Sequence, residues 1–168
     1  QMLKDEVALS REKMKKINLI LIVRSVVDDF NNIYVAKRGI KIFLKESNSQ
    51  AEYFINGIEN RIEQIIANLL DNSISFSNDN KNILVEIYKD ENEKIILKVI
   101  DEGKGFKETN TKKIFDRFYS NRPENFGEHS GLGLNIVKNL VDLHGASINA
   151  SNNLTKKGAN VEIIFPKF

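Results

Sequence analysis

Between residues 59 and 76 the apolar positions fall on one helical stripe. Ile62, Ile65, Ile66, Leu69 and Leu70 follow the i, i+3, i+4, i+7, i+8 spacing, and the opposite side is polar. Leu132–Leu143 carries a second strong helical pattern, closed by Gly145, and residues 19–37 a third, with Gly39 as its stop. Residues 2–14 read as a charged helix with few apolar positions, the tail of something upstream. The period changes elsewhere. Ile83–Lys89 and Lys94–Ile100 alternate around Asp90-Glu91-Asn92-Glu93, which predicts a hairpin. Ile40–Leu44, Tyr53–Ile55, Ser147–Ala150 and Val161–Phe165 read as further strands. Helices and antiparallel strands in this order predict an α+β fold, a two-layer sandwich. Residues 102–130 show little periodicity, and a stretch that long inside a compact domain is functional or disordered.

Composition narrows what such a domain can do. The 168 residues suit one domain, with no internal repeat, low-complexity tract or Pro/Gly linker. There is no cysteine, and the two histidines are His129 and His144. This excludes a disulfide framework, a thiolate metal site, a cysteine nucleophile and a His-rich metal cluster, and it fits a cytosolic setting. The net charge of +2 comes from 25 basic and 23 acidic residues that interleave without a basic stripe, which argues against nucleic-acid binding. The longest apolar run, Leu19 to Val27, is interrupted by Arg24 and Ser25 and is far short of a membrane span. The chain opens on Gln1 with no signal-peptide pattern, so a fragment of something longer is expected. Asparagine, 21 of 168 residues, reads as codon usage more than chemistry.

Three places carry candidate chemistry. Asn68 and Asn72, four apart, stack on one face of the 59–76 helix, and Gln64, Asp71 and Ser75 widen the polar strip. An amide oxygen suits Mg²⁺ when phosphates supply the negative charge; the bland alternative is a solvated helix face. Asp101-Glu102-Gly103-Lys104-Gly105-Phe106 follows a strand directly. There the glycines let backbone approach a flat ligand while Asp101 accepts an N–H, as from an adenine amino group; the alternative is a Gly-rich turn. Ser130-Gly131-Leu132-Gly133-Leu134 opens a helix. Glycine in a first helical turn costs roughly 1 kcal/mol against Ala, and a phosphate on the bare N–H groups is one reason for it; tight packing is the other. Neither glycine motif is a dinucleotide fingerprint or a Walker A loop. Between them, Ile114-Phe115-Asp116-Arg117-Phe118-Tyr119 reads either as a cluster pinning a long loop or as a lid carrying Arg117 or Arg122 toward a phosphate.

In order and spacing, these blocks resemble the catalytic ATP-binding domain of bacterial sensor histidine kinases across residues 16–168. Asn68–Asn72 is similar to that family's N box, Asp101–Phe106 to its G1 box, Phe115–Tyr119 to its F box and Ser130–Leu134 to its G2 box. The resemblance implies a Bergerat-type sandwich, a mixed, mostly antiparallel sheet packed on helices, that holds ATP and Mg²⁺ between helices and a lid. It implies Asn72 on Mg²⁺, and nucleotide contacts from Asn68, Ser75, Asp101, Gly103, Gly105, Phe106, His129, Ser130, Gly131, Leu132, Gly133 and Leu134. Asn68, Arg117 and Arg122 would serve phosphoryl transfer. Residues 1–15 would be a helical stub or linker from an upstream dimerisation and phosphoacceptor domain.

The sequence departs from the pattern at Ser75 and Phe76, where many members have Lys then Tyr. It departs again at His129, where the G2 box usually begins with glycine, and at Lys156-Lys157-Gly158-Ala159, a weakened Gly-Thr turn. Neither histidine sits in a phosphoacceptor motif, so the accepting His is expected on a separate dimerising domain, and His144 reads as a helix C-terminal residue favoured by the dipole. The expected function is ATP-dependent protein-histidine kinase activity completed by that domain, with a response regulator downstream. The fragment is expected to be a monomer, and the parent a homodimer anchored in the bacterial inner membrane with this domain in the cytoplasm. The alternatives are an ATPase of the same fold and a nucleotide-binding regulatory module. The ATPase is disfavoured because those enzymes carry Glu where this chain has Asn68, and an amide is no general base.

Overall fold

The computed structural model describes residues 13–47, 51–107, 111–116 and 132–168. In chain order the elements are β1 (Lys15–Asn18), α1 (Leu19–Arg38), β2 (Lys41–Glu46), β3 (Phe54–Gly57), α2 (Glu59–Phe76), β4 (Asn82–Lys89) and β5 (Ile95–Ile100). A short 3₁₀ turn (Thr111–Phe115), α3 (Leu132–Leu143), β6 (Ser147–Asn152) and β7 (Ala159–Phe165) follow. Five strands form one sheet in the order β2-β4-β5-β7-β6, and β1 and β3 form a separate antiparallel ribbon. In the large sheet β2 runs parallel to β4 and every other neighbour is antiparallel.

The two periods seen in the sequence meet in one core. Along β4, Ile83, Val85 and Ile87 are buried at alternate positions, as are Val161, Ile163 and Phe165 along β7. They pack with the α2 stripe Ile62, Ile65, Ile66, Leu69 and Leu70, and with Val137, Leu140 and Val141 of α3. The expected α+β sandwich is therefore the observed architecture. Ile114 and Phe115 are buried in this same main core rather than in a satellite cluster, and Asn135 of α3 donates to the Phe115 carbonyl at 3.1 Å.

Two polar devices join the helices. Arg38, in the last turn of α1, reaches over the end of α2 and donates to the Ile74 carbonyl at 2.7 Å and the Ser77 carbonyl at 2.6 Å. The Ile74 carbonyl also accepts the Ser77 N–H at 3.2 Å, so the guanidinium adds a second donor there and supplies one to the Ser77 carbonyl beyond the helix end. At the other end of α2, His144 Nε2 accepts the Ile58 N–H at 3.1 Å, which assigns the ring proton to Nδ1, 2.8 Å from the Leu140 carbonyl. His144 does sit at a helix C-terminus, as its sequence position suggests. There it is a buried bridge between α3 and the start of α2.

The charged helix expected over 2–14 lies outside the described residues up to 12, and Lys13 and Met14 belong to no regular element. The strand β1 that follows was not predicted. Lys-Lys-Ile-Asn has no alternation to reveal it, and its pairing with β3, Lys15 opposite Gly57, supplies the strand from outside. Among the described residues no helix is long and apolar enough to cross a membrane.

Candidate functional site

The second half of α2, the carboxyl end of β5 and the β6–β7 turn converge on Asp101. This carboxylate, 2% exposed, ends β5 at the point where the chain leaves the sheet. Its Oδ1 accepts the Gly103 N–H at 2.9 Å and the Ala159 N–H at 3.1 Å. Burial pushes the Asp101 carboxyl above the usual carboxylate range, and the bonds from Gly103 and Ala159 oppose that shift. Its backbone is fixed as well, by Asp101 N–H to the Ala159 carbonyl at 3.0 Å and by Asn153 Nδ2 to the Asp101 carbonyl at 3.1 Å.

The glycines beside it have a reason the sequence did not suggest. A Cβ on Gly103 would stand 2.5 Å from the carbonyl oxygen of Phe76, at the end of α2. Gly105 has φ +78°, and its Cβ would lie 2.6 Å from Asn152 Oδ1. Both glycines are thus required by the protein's own packing before any ligand is considered. Asn152 completes the arrangement as a two-pronged staple. Its Oδ1 accepts the Phe106 N–H at 2.6 Å, and its Nδ2 donates to the Phe106 carbonyl at 3.0 Å. Phe106 is buried, edge-on to Phe76 with ring centroids 6.4 Å apart. Asn31 staples the Ile42 backbone in the same way, at 3.0 and 2.8 Å. The abundance of asparagine therefore has a structural use beyond codon usage.

On α2, Asn68 is half-buried, whereas Asn72 and Ser75 are buried. The Ser75 hydroxyl turns inward onto the Asn72 carbonyl at 2.8 Å, so this position holds the helix instead of presenting a donor outward. Among the described residues no cluster of three or more acidic or histidine side chains could hold a metal. The amide of Asn72 is a neutral oxygen donor, and it fits Mg²⁺ only where phosphate oxygens and water complete the shell. At the start of α3, a Cβ on Gly133 would meet nothing within 4 Å. Among the described residues no packing contact explains this glycine. Leu134 is buried in the core. Leu132 begins the helix. Arg117, Arg122, His129, Ser130 and Gly131 lie outside the described residues, as do Phe118 and Tyr119 of the aromatic patch.

Around Asp101 the structure gathers Gly103, Gly105 and Phe106. It adds Asn152, Asn153 and Gly158, which sequence reasoning did not place there. A cavity of about 380 Å³ lined by Ile55, His144 and Phe165 lies elsewhere, against the start of α2. Fourteen residues of helix separate Ile58 from Asn72, about 21 Å at the helical rise.

Residues 57–168 match the family model described as histidine kinase-, DNA gyrase B-, and HSP90-like ATPase. The sensor protein ChvG of Rhizobium meliloti is 32% identical over 155 residues, covering 89% of this chain and 27% of that protein. The chain thus spans about a quarter of the length of the curated relatives it matches. Full-length ShkA, solved in complex with AMPPNP, superposes with a TM-score of 0.75 at 22% identity over 91% of this chain and 31% of that one. Histidine kinase ThkA, solved in complex with the response regulator protein TrrA, gives 0.74 at 22% identity, covering 99% and 46%. At these identities the structural likeness establishes the shared fold.

Proposed function

Because the chain belongs to the family of histidine kinase-, DNA gyrase B- and HSP90-like ATPases, we propose that it is the nucleotide-binding catalytic domain of a sensor histidine kinase, and that it positions ATP for γ-phosphoryl transfer to a His outside these residues. The observation that carries this reading is Asp101, a buried carboxylate at a strand end, held by backbone donors and able to accept an amino group. Gly133, whose added Cβ would meet nothing within 4 Å among the described residues, is the second support. The sensor kinase ChvG, the AMPPNP complex of ShkA and the regulator complex of ThkA are in keeping with it.

In this reading Asp101 receives the adenine amino group against the frame of Gly103, Gly105 and Phe106. The backbone from Ser130 to Leu134 receives the phosphates, with His129, Arg117 and Arg122 on the lid side. Asn72, beside Asn68, would hold Mg²⁺ through its amide oxygen, and the ion would neutralise phosphate charge. Asn68 is an amide and takes no proton from water, which favours transfer to a positioned His over hydrolysis. The protein's contribution is then positioning rather than covalent chemistry. The parent protein would be a membrane-anchored homodimer that carries the phosphoacceptor and passes the phosphoryl group to a response regulator.

The test supplies γ-labelled ATP and the parent's purified phosphoacceptor domain. Label reaching that domain only in the presence of this chain supports the kinase. Phosphate released by this chain alone would instead make it an ATPase. One observation favours the second reading, a module that binds without transferring: Ser75 faces inward where a cation would otherwise reach the phosphates. Binding without label on the acceptor would establish that one. Gly133→Ala separates stability from function at the same site. It is expected to raise stability by roughly 0.5–1 kcal/mol, by removing a helical glycine. It should also weaken ATP several-fold, by filling the approach to the phosphates; thermal melting and calorimetric titration read the two effects.

A further inference from the structure

The turn from Asp101 to Phe106 starts and ends on one rung of the sheet. At its start Asp101 is tied twice to Ala159 of β7: its N–H donates to the Ala159 carbonyl at 3.0 Å, and its Oδ1 accepts the Ala159 N–H at 3.1 Å. Ala159 stands directly opposite Asn152 in the β6–β7 pairing. At the end of the turn the side chain of that same Asn152 takes hold of Phe106, accepting its N–H at 2.6 Å and donating to its carbonyl at 3.0 Å. Among the described residues both bonds to the Phe106 backbone come from Asn152. Asn31 makes the same pair of bonds to Ile42, at 2.8 and 3.0 Å. It does so between α1 and the edge strand β2, with β4 standing between that strand and β5.

Asn152 is exposed, so its side chain adds little to the core. Water can replace both of its bonds when it is removed, but water does not fix how far Phe106 stands from Asp101. The chain between them is soft on its own, with a glycine on each side of the exposed Lys104. Gly105 lies hard against the amide: a Cβ there would stand 2.6 Å from Asn152 Oδ1. We infer that Asn152 is a positioning residue for base recognition, whose side chain holds the Gly105–Phe106 backbone at one spacing from the Asp101 carboxylate. Supporting groups of this kind matter because a recognition site loses affinity when its parts are free to drift. This role rests on the nucleotide reading above, in which Asp101 accepts the exocyclic amino group of adenine and Gly105 and Phe106 frame the base. Guanine presents a carbonyl where adenine presents that amino group. GDP therefore draws on its phosphates and not on the spacing, whereas ADP draws on both.

The experiment uses the whole chain and titrates ADP and GDP without Mg²⁺, which keeps the Asn72 end of the site out of the measurement. Asn152→Ala and Asn31→Ala remove the same pair of hydrogen bonds from different places, and both are expected to melt a few degrees below the native chain. Asn152→Ala should bind ADP about tenfold more weakly and GDP as before, so the preference for ADP narrows by the same factor. Asn31→Ala should keep both affinities. An unchanged ADP preference in Asn152→Ala overturns the proposal. So does an equal narrowing in Asn31→Ala, which would trace the effect to lost stability. Should the alanine variant fail to fold, Asn152→Gln, which keeps both amide groups but sets them one methylene farther out, carries the same comparison. Asp101→Asn tests the adenine reading separately. If the native chain has no ADP preference, or Asp101→Asn retains it, that reading fails and the role of Asn152 with it. If Asp101→Asn loses the preference and the Asn152 variants keep it, the reading stands and only the role of Asn152 is lost.

Discussion

Asp101→Asn is expected to bind ADP about 100-fold more weakly than the native chain, near 2.7 kcal/mol, while folding at least as stably. The two halves of that result have one cause. An asparagine in the native orientation still offers an oxygen to the N–H groups of Gly103 and Ala159, which lie 2.9 and 3.1 Å from Oδ1. Its other arm is then an NH₂ group where Asp101 had a second oxygen, so a donor faces the donor on the base. A site built to accept a hydrogen bond loses more from such a reversal than from simple removal of the bond, because two desolvated polar groups are left unpaired.

Stability moves the other way. Burial raises the Asp101 carboxyl above its ordinary value of 3.8, so ionising it inside the fold costs more than ionising it in the unfolded chain. A group shifted upward contributes its stability fully below the unfolded value, and that contribution is lost as pH rises through the folded one. At neutral pH the native chain carries this cost and the Asn variant does not. Melting curves taken from pH 4 to 8 should therefore show the gap between variant and native chain widening with pH and then levelling off. A variant that binds ADP normally would remove Asp101 from the site. One that is markedly less stable at neutral pH would show that its hydrogen bonds outweigh its desolvation.

How much of this was legible in the sequence depends on the range of the interaction involved. The α2 stripe from Ile62 to Leu70 and the alternation of β4 and β5 are local periodicities, and the structure buries those positions. Asp101 could be placed because a carboxylate directly after an alternating run must sit at a strand end. Other features depend on partners far along the chain. The parallel pairing of β2 with β4 has no local signature. Neither has β1, whose Lys15 and Lys16 become strand only against Gly57 and Asn56. Asn152 and Asn153 look like turn residues in a chain full of asparagine, and their role appears only once Phe106 and Asp101 are seen beside them. The glycines show a different limit. Their positions stand out in the sequence, but Phe76 and Asn152, which demand Gly103 and Gly105, do not.

Gly158 is where that lesson has its largest consequence. It sits at the start of the β6–β7 return, in what the sequence shows only as a weakened Gly-Thr turn. A Cβ there would stand 2.0 Å from the backbone carbonyl oxygen of Asp101 and 2.9 Å from Asn153 Nδ2. Its φ of +140° is a conformation that side-chain-bearing residues rarely adopt. A flexible side chain could move aside; the carbonyl of Asp101 cannot, because it accepts from Asn153 and its own residue is tied to Ala159 on both sides. Gly158→Ala therefore combines backbone strain with overpacking against fixed backbone. Each contributes about 1–3 kcal/mol, and the expected loss is about 3–5 kcal/mol.

The strain should be relieved by separating the β6–β7 turn from the end of β5. Whatever variant survives would then lose the Ala159 bond to Asp101 and the Asn153 bond to its carbonyl. Chemical denaturation should accordingly show a large fall in midpoint. Any folded fraction should have lost most of its preference for ADP over GDP, although residue 158 itself touches no nucleotide in this reading. Gly145→Ala is the comparison without such a contact: that glycine also has positive φ, +66°, but its Cβ would meet nothing within 4 Å among the described residues. It is expected to show the conformational cost alone, about 1 kcal/mol, with ADP preference intact. Equal losses in the two variants would mean that backbone conformation, and not the carbonyl of Asp101, makes Gly158 necessary.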